Sequence, residues 1–119
     1  MTELARVEVE RRGAQTVVGI HGDVDMSNAA QLGAAIAAAV PNGSRELIVD
    51  LTGTTYLDSV GVSLLLRLAA RLGSRRQTLR VVVPTETPIR AVLELAGVSE
   101  VIEVRDAIEP ARLEGDPTG

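Results

Sequence analysis

The sequence predicts a single small α/β domain with a mixed β-sheet, in which an antiparallel N-terminal hairpin precedes parallel strands joined by helical crossovers. Its 119 residues fit one domain. Hydrophobic residues make up 45% and charged residues 24%, which is the balance of an ordinary globular protein. Short apolar runs alternate with stretches of helical periodicity, which favours strands that alternate with about four helices. We expect the domain to span residues 1–113 and residues 114–119 to form a flexible tail.

The N-terminal segment has the pattern of a β-hairpin. Residues 7–10 alternate apolar and charged side chains, which is the period of a half-buried strand. Residues 11–14 (RRGA) have the composition of a turn, and residues 16–20 (TVVGI) form the second predicted strand. Because a short turn joins the two strands, they are expected to pair antiparallel.

The first helix is predicted between this hairpin and Pro41. Ser27 or Asp25 is the expected N-cap, because a side-chain oxygen there accepts a hydrogen bond from a free backbone N–H. The segment Pro41-Asn42-Gly43 ends the helix. Its buried face consists of five residues at helical spacing, Leu32, Ala35, Ile36, Ala39 and Val40.

A buried strand and a second helix follow. Residues 46–51 are a nearly continuous apolar run, as expected of a strand buried on both faces. Residues 52–56 are predicted to be a polar loop, and the helix after it is expected to end at Gly73. The apolar face of this helix is formed by Val62, Leu65, Leu66, Ala69 and Leu72.

The next elements repeat the alternation of strand and helix. Residues 80–83 and residues 101–104 are the last two predicted strands. Between them, Thr87 is expected to cap a helix that has Pro88 at its first position, where a missing N–H costs nothing. Gly97 is expected to end this helix in the left-handed conformation.

A fourth, short helix is predicted from Asp106 to about Leu113. Since helices connect the last three strands, these strands are expected to lie parallel, with right-handed connections. The hairpin at the start of the chain makes the sheet mixed.

Residue counts exclude several classes of chemistry. The chain has no cysteine, which excludes disulfides, thiolate metal sites and cysteine nucleophiles. All 12 basic residues are arginine, which excludes a lysine-dependent phosphate loop and Schiff-base catalysis. With a single histidine, the chain cannot form a multi-histidine metal site. The net charge of −4 and the absence of Phe and Trp argue against nucleic-acid binding. We therefore expect a non-enzymatic protein without a cofactor.

The sequence also bears on location. No apolar run approaches the roughly 18 residues that a membrane-spanning helix requires. The N-terminus lacks the basic region and apolar run of a secretory signal. We therefore expect a cytoplasmic protein with no membrane segment.

One loop has the features of a functional site. Residues 57–62 (LDSVGV) join a buried strand to an amphipathic helix, at the strand end where α/β domains usually place binding sites. Asp58 or Ser59 is expected at the helix N-terminus, where free N–H groups and the helix dipole favour negative charge. Gly61 costs a helix about 1 kcal/mol relative to alanine, which indicates close approach by another surface. The alternative is that Asp58 or Ser59 is only a helix cap and that Gly61 serves internal packing.

Three segments resemble a known family. The resemblance is carried by residues 49–51 (VDL) with 56–65 (YLDSVGVSLL), by residues 22–25 (GDVD) and by residues 88–98 (PIRAVLELAGV). Their order and spacing are similar to those of STAS domains and, more narrowly, of bacterial anti-sigma factor antagonists. The resemblance covers about residues 7–111.

This resemblance implies a regulatory binding protein that acts in stress-responsive transcription. In the family, the serine after the motif's aspartate is phosphorylated by an anti-sigma factor with a histidine-kinase-like ATPase fold; that position is Ser59 here. The unphosphorylated protein binds this anti-sigma factor and frees the sigma factor, phosphorylation breaks the complex, and a phosphatase restores it. The expected partner-binding residues are Asp25, Asp58, Ser59, Val60, Gly61, Val62 and Ser63.

Alternatives remain open for several residues. Many antagonists carry Ser or Thr after the phosphorylated serine, whereas this chain has Val60. The rival interpretation is therefore a non-phosphorylated STAS interaction module, for example the partner of a membrane lipid or anion transporter. Asp25 either faces the partner or only caps the first helix. Ser63, one helical turn beyond Ser59, is a second candidate phosphoacceptor.

A basic stretch on and after the second helix also has two interpretations. Its arginines either contact an acidic partner or form a solvated helix face, and the sequence leaves the oligomeric state open. The stretch consists of Arg67, Arg71, Arg75 and Arg76.

Overall fold

The computed structural model describes residues 5–108 as a six-stranded sheet with three α-helices and one 3₁₀ turn. The strands are β1 (Arg6–Arg12), β2 (Gln15–Val24), β3 (Glu46–Asp50), β4 (Thr54–Leu57), β5 (Thr78–Val82) and β6 (Glu103–Arg105). The helices are α1 (Ala29–Ala39), α2 (Ser59–Gly73) and α3 (Pro88–Leu95), and the 3₁₀ turn covers Val98–Glu100. No helix in this described part of the chain is long and apolar enough to cross a membrane.

The sheet is mixed, as the sequence predicts. Its strands follow the order β1-β2-β3-β5-β6, and β4 is attached to β2 outside this path. β1 pairs antiparallel with β2, and every other pair is parallel. The predicted α/β class, the N-terminal hairpin and the parallel strands joined by helical crossovers are therefore confirmed.

β2 is ten residues long, and it pairs with three strands. It runs beside β1 along one edge, while on its other edge residues 15–19 pair with β3 and residues 22–24 pair with β4. The register shifts directly after Gly22, whose φ of 106° lies in the left-handed region that favours glycine. β2 therefore changes partner between Gly19 and Gly22, and the irregularity follows directly after this change.

The two faces of the sheet bury very different amounts of apolar surface. All three helices pack on one face, and within residues 5–108 the opposite face has a small apolar cluster, formed by Val17, Ile48 and Val82 with Ile108 packed against it. Since successive side chains of a strand point to opposite faces, alternate residues of the same strands serve the two sides. The main core includes Val18, Ile20, Leu47, Val49, Val81, Ile36, Leu65 and Leu93.

A row of polar and charged side chains crosses this second face. The Nε2 of Gln15 donates to Oε1 of Glu46 at 2.7 Å. Arg80 lies between Glu46 and Glu103, with N–O distances of 3.2 Å and 2.8 Å. A hydrogen bond from Arg105, and then the charge of Arg80, lower the pKa of the Glu103 carboxyl. The row therefore links β2, β3, β5 and β6 through compensated charges.

The sequence predicted both ends of α3. Thr87 is the N-cap, and its hydroxyl oxygen accepts a hydrogen bond from the backbone N–H of Arg90 at 3.2 Å. Pro88 is the first helical residue. After the helix, Gly97 has a φ of 71°, which is the left-handed conformation expected there.

Three predictions of local structure differ from the fold. Part of the predicted loop at 52–56 belongs to β4, because its backbone pairs with the distant end of β2. The last strand covers Glu103–Arg105 rather than residues 101–104, because the carbonyl of Val98 holds the preceding residues in the 3₁₀ turn. Of the predicted fourth helix, residues 106–108 are not helical, and the remainder, like the predicted tail, lies outside the described residues.

We expect Glu103 to make the free energy of unfolding depend on pH in the acid range. A carboxyl whose pKa is lower in the folded than in the unfolded state stabilises the fold above its unfolded pKa. That contribution is lost as the pH falls through the folded pKa. Glu103→Gln should therefore reduce the drop in unfolding free energy between about pH 6 and about pH 3, measured by urea denaturation.

The matched control is Glu86→Gln, which removes an exposed carboxylate that makes no ion pair within residues 5–108. Identical pH profiles for the two variants would show that the Glu103 network contributes nothing to acid stability.

Candidate functional site

The candidate site lies where β2 and β4 end and where α1 and α2 begin. The two strands are parallel, and Val24 is paired with Leu57 at their last residues. The backbone N–H of Asp58 donates to the carbonyl of Val24 at 3.3 Å. Asp25 and Asp58 therefore leave the sheet side by side, so the structure brings together the two acidic loops of the sequence.

Asp58 is the N-cap of α2. Its Oδ1 accepts hydrogen bonds from the backbone N–H groups of Val60 at 3.0 Å and Gly61 at 3.1 Å. Ser59 is the first residue of the helix, and its side chain is exposed. Over residues 5–108, no side-chain hydrogen bond occupies the Ser59 hydroxyl. Because Asp58 alone caps the helix, the Ser59 hydroxyl is available to another molecule.

Gly61 and Val62 lie in the interior, behind the exposed surface. A β-carbon at Gly61 would lie 2.4 Å from Cδ1 of Leu57 and 3.1 Å from Cγ1 of Val24. The side chain of Val62 is buried as well, with 7% exposed. The surface that approaches Gly61 closely is therefore the core of the domain itself, and these two residues set how α2 sits on the strand ends.

The predicted cap of α1 is wrong. The helix begins at Ala29, and the residue before it is Asn28 rather than Ser27 or Asp25. Asp25 instead closes a turn, because its Oδ1 accepts hydrogen bonds from the hydroxyl of Ser27 and, at 2.8 Å, from its backbone N–H. These hydrogen bonds lower the pKa of the Asp25 carboxyl. Asp25 therefore presents a carboxylate at the surface, in the turn that precedes α1.

Asn28 is a residue of the site that the sequence analysis missed. Only 3% of it is exposed. Its Oδ1 accepts from the backbone N–H of Asp25 at 3.0 Å, and its Nδ2 donates to the carbonyl of Asp23 at 2.7 Å. These two bonds fix the turn between β2 and α1. The preference of asparagine for helix starts was the one signal that could have identified it.

Two exposed apolar side chains accompany the site. Met26 follows Asp25 in the turn and is 78% exposed, and Tyr56 on β4 is 50% exposed. Val60 is half-buried against the core, while Ser63 is exposed. Met26 was missed because it lies in a turn, where there is no helical or strand periodicity from which to predict its exposure. Exposed apolar side chains beside polar ones are typical of a protein-binding surface.

The electrostatics of the site combine carboxylates with the positive end of a helix. The carboxylate of Asp23 accepts a hydrogen bond from the hydroxyl of Thr55, and those of Asp25 and Asp58 are bonded within their own turns. In the described part of the chain, no group of three or more His, Cys, Asp or Glu residues is placed to hold a metal ion. The arrangement offers an exposed hydroxyl, within an acidic and partly apolar surface, to another protein.

Comparisons with known proteins agree with this fold. A family model described as Mlab, STAS domain, matches residues 7–105. BtrV of Bordetella bronchiseptica, a curated protein named as an anti-sigma factor antagonist, is 27% identical over 106 residues. This alignment covers 89% of the chain and 90% of BtrV.

Solved structures show the same architecture. An anti-sigma factor antagonist from Mycobacterium paratuberculosis superposes with a TM-score of 0.77 at 27% identity, covering 87% of each chain. SpoIIAA of Bacillus, which has been solved in unphosphorylated and phosphorylated forms, shares the fold at 23% identity. Its unphosphorylated form superposes with a TM-score of 0.66 and covers 88% of this chain and 89% of its own. Because the family match extends from β1 to the end of β6, the chain belongs to the STAS domain family.

Proposed function

We propose that this chain is an anti-sigma factor antagonist that binds a kinase-type anti-sigma factor, releases the sigma factor and is switched off by phosphorylation of Ser59. The observation that carries the proposal is the exposed Ser59 hydroxyl at the first position of α2. The names of BtrV and of the Mycobacterium protein support the antagonist role. The proposed surface is formed or shaped by Asp25, Asp58, Ser59, Val60, Gly61, Val62 and Ser63.

The position of Ser59 explains how phosphorylation could break a complex without unfolding the domain. A phosphoryl group adds about −1.5 to −2 charges at neutral pH. The N-terminus of α2 favours negative charge, so the fold accommodates the group. At the surface, however, the new charge joins those of Asp25 and Asp58, which leave the sheet side by side. A partner that fits tightly over the unmodified Ser59 hydroxyl therefore meets added bulk, and a partner that is acidic there also meets like-charge repulsion.

The proposed cycle assigns all phosphoryl chemistry to other proteins. The anti-sigma factor, a serine kinase of histidine-kinase-like fold, supplies ATP and magnesium, and a phosphatase removes the phosphoryl group. The chain itself is a binding protein in the cytoplasm, without an enzymatic activity, a cofactor, a membrane contact or a direct nucleic-acid contact.

A second function is a STAS module that acts without phosphorylation, for example as the partner of a membrane lipid or anion transporter. Val60 favours it, because the hydroxyl that many antagonists carry after the phosphorylated serine is replaced here by an apolar side chain packed against the core. The phosphorylation experiment below separates the two functions.

We expect purified protein, incubated with magnesium, ATP and kinase-type anti-sigma factors from the same genome, to gain one phosphoryl group. Intact-mass spectrometry should show an increase of about 80 Da for wild type and none for Ser59→Ala, because Ser59 carries the accessible hydroxyl. Ser63→Ala is the matched control, since Ser63 is also exposed on α2. This control should be phosphorylated like wild type.

Two results would contradict this expectation. Incorporation into Ser59→Ala but not into Ser63→Ala would move the switch to Ser63. A stable wild-type complex with no incorporation by any candidate kinase would support the non-phosphorylated module.

We expect Met26 to contribute binding energy to the complex with the anti-sigma factor. A largely exposed methionine at the centre of an interface is adaptable and becomes buried on binding, so Met26→Ala should raise the Kd about tenfold. The thermal midpoint should stay unchanged, because 78% of Met26 is exposed in the free protein. Isothermal titration calorimetry measures the Kd.

Leu95→Ala is the control for this experiment. Leu95 is 90% exposed at the last position of α3, outside the proposed surface. If Leu95→Ala weakens binding as much as Met26→Ala, or if Met26→Ala has no effect, Met26 is not an anchor of the interface.

A further inference from the structure

A groove runs between α1 and α2 on the solvent side of the helix layer. Its volume is about 330 Å³. The α1 side is lined by small residues that include Ala30, Gly33 and Ala34, and the α2 side by Leu64, Arg67 and Arg71. Of the residues proposed for the anti-sigma factor surface, none lines it.

The floor of the groove is apolar, and it is shaped by close packing of the two helices. A β-carbon at Gly33 would lie 2.7 Å from Cδ1 of Leu64, so a side chain at this position would force the leucine to move. α1 carries no charged side chain along its 11 residues, although Ala30, Ala34 and Ala38 are exposed. A surface helix normally places charged residues on its outer face.

Arg67 and Arg71 stand on the α2 side of this floor as uncompensated charges. Both are exposed and lie one helical turn apart. Within residues 5–108, neither has a carboxylate within 4.0 Å, in contrast to Arg80 and Arg90, which are both paired. The chain as a whole has a net charge of −4, so this pair is a local positive feature on an acidic protein.

The groove is continuous with the proposed phosphorylation surface. Ser59, Ser63, Arg67 and Arg71 recur every four residues and are all exposed, so they form one ridge along α2. At a rise of about 1.5 Å per residue, Arg67 lies about 12 Å along the helix axis from Ser59. A protein seated on Ser59 can therefore reach the groove with one further segment.

We propose that this groove binds an acidic amphipathic segment of the anti-sigma factor, which makes a second contact besides the Ser59 surface. Its apolar side chains would lie on the floor between α1 and α2, and its carboxylates would pair with Arg67 and Arg71. Guanidinium groups bind carboxylates through two parallel hydrogen bonds, which gives such a contact direction as well as charge. Two arginines beside an apolar floor fit an acidic protein segment better than a nucleic-acid backbone, which requires many cations. This inference rests on the proposed function.

The test is calorimetric titration of the full chain with the anti-sigma factor that binds it. Arg67→Glu with Arg71→Glu should raise the Kd by about tenfold or more and make it less sensitive to salt. Arg11→Glu with Arg45→Glu is the matched control, because both arginines are exposed, lie outside the groove and give the same change in net charge. The control should change the Kd by less than about twofold.

The outcomes separate the two proposals. Equal effects of the two double variants would reflect overall charge alone, and they would overturn the groove contact while leaving the Ser59 switch intact. The same conclusion follows if the groove variant binds like wild type. Failure of wild type to bind any kinase-type anti-sigma factor would overturn the proposed function and the groove contact together. Circular dichroism and thermal midpoints equal to wild type establish that the variants fold.

A second measurement identifies the occupant directly. Because the chain has no cysteine, Ala34→Cys gives a single attachment point for a benzophenone cross-linker in the groove. Irradiation of the purified complex should link it to a partner peptide that is acidic and has apolar residues at helical spacing, as identified by mass spectrometry. Cross-linking to a basic segment or to a second copy of this chain would overturn the proposal. Ala38→Cys, exposed on α1 but outside the groove, is the control.

Discussion

The geometry of the site depends on the change of partner that β2 makes between Gly19 and Gly22. Gly19 is the last residue that pairs with β3, Gly22 is the first that pairs with β4, and the backbone N–H of Gly22 donates to the carbonyl of Gly53 at 3.0 Å. The hydroxyl of Thr54 donates to the carbonyl of Ile20 at 2.8 Å and secures the junction. The ring of His21 covers Gly53 so closely that a β-carbon there would lie 2.2 Å from Nδ1. Gly22 therefore supplies a left-handed φ at this crossing, and Gly53 leaves room for the His21 ring.

This junction determines what the two following loops can do. Because Val24 is paired with Leu57, the turn before α1 and the N-cap of α2 begin side by side at the same end of the sheet. The carboxylate of Asp58 then accepts hydrogen bonds from the first turn of α2, and Gly61 allows this turn to pack on both strand ends. Ser59 is the residue left exposed by this arrangement. A switch placed there changes charge on a rigid support rather than in a mobile loop.

Charge is distributed unevenly over the two sides of the sheet. The sheet face opposite α1, α2 and α3 carries compensated charges, in which Arg80 is shared between Glu46 and Glu103. On the helix side, carboxylates gather near the start of α2, and Arg67 and Arg71, which have no ion pair within residues 5–108, stand two and three turns further along it. Paired charges across neighbouring strands contribute to the fold, whereas unpaired charges beside apolar surface are available to a partner.

The sequence by itself determined the elements whose signals are local. The hairpin, the ends of α3 and the helical start at Asp58 follow from alternation, capping residues and turn glycines, which act within a few residues. The loop at residues 57–62 followed from local signals as well, and the resemblance added Asp25 to the expected partner-binding residues and a role for Ser59. The structure adds the register that brings Asp25 close to the start of α2, because Val24 is paired with Leu57.

Only the tertiary structure decided the features that depend on distant contacts. β4 escaped prediction because two exposed residues interrupt its alternation and its pairing partner lies far away in the sequence. Asn28 acts through backbone groups of Asp23 and Asp25, Met26 lies in a turn without periodicity, and the groove beside Arg67 exists only once Gly33 meets Leu64. Sequence patterns report which face of an element is apolar, but they do not report which surfaces meet and which remain open. That difference is the physical reason why most elements were predictable from the sequence, whereas β4, the role of Asn28 and the groove were not.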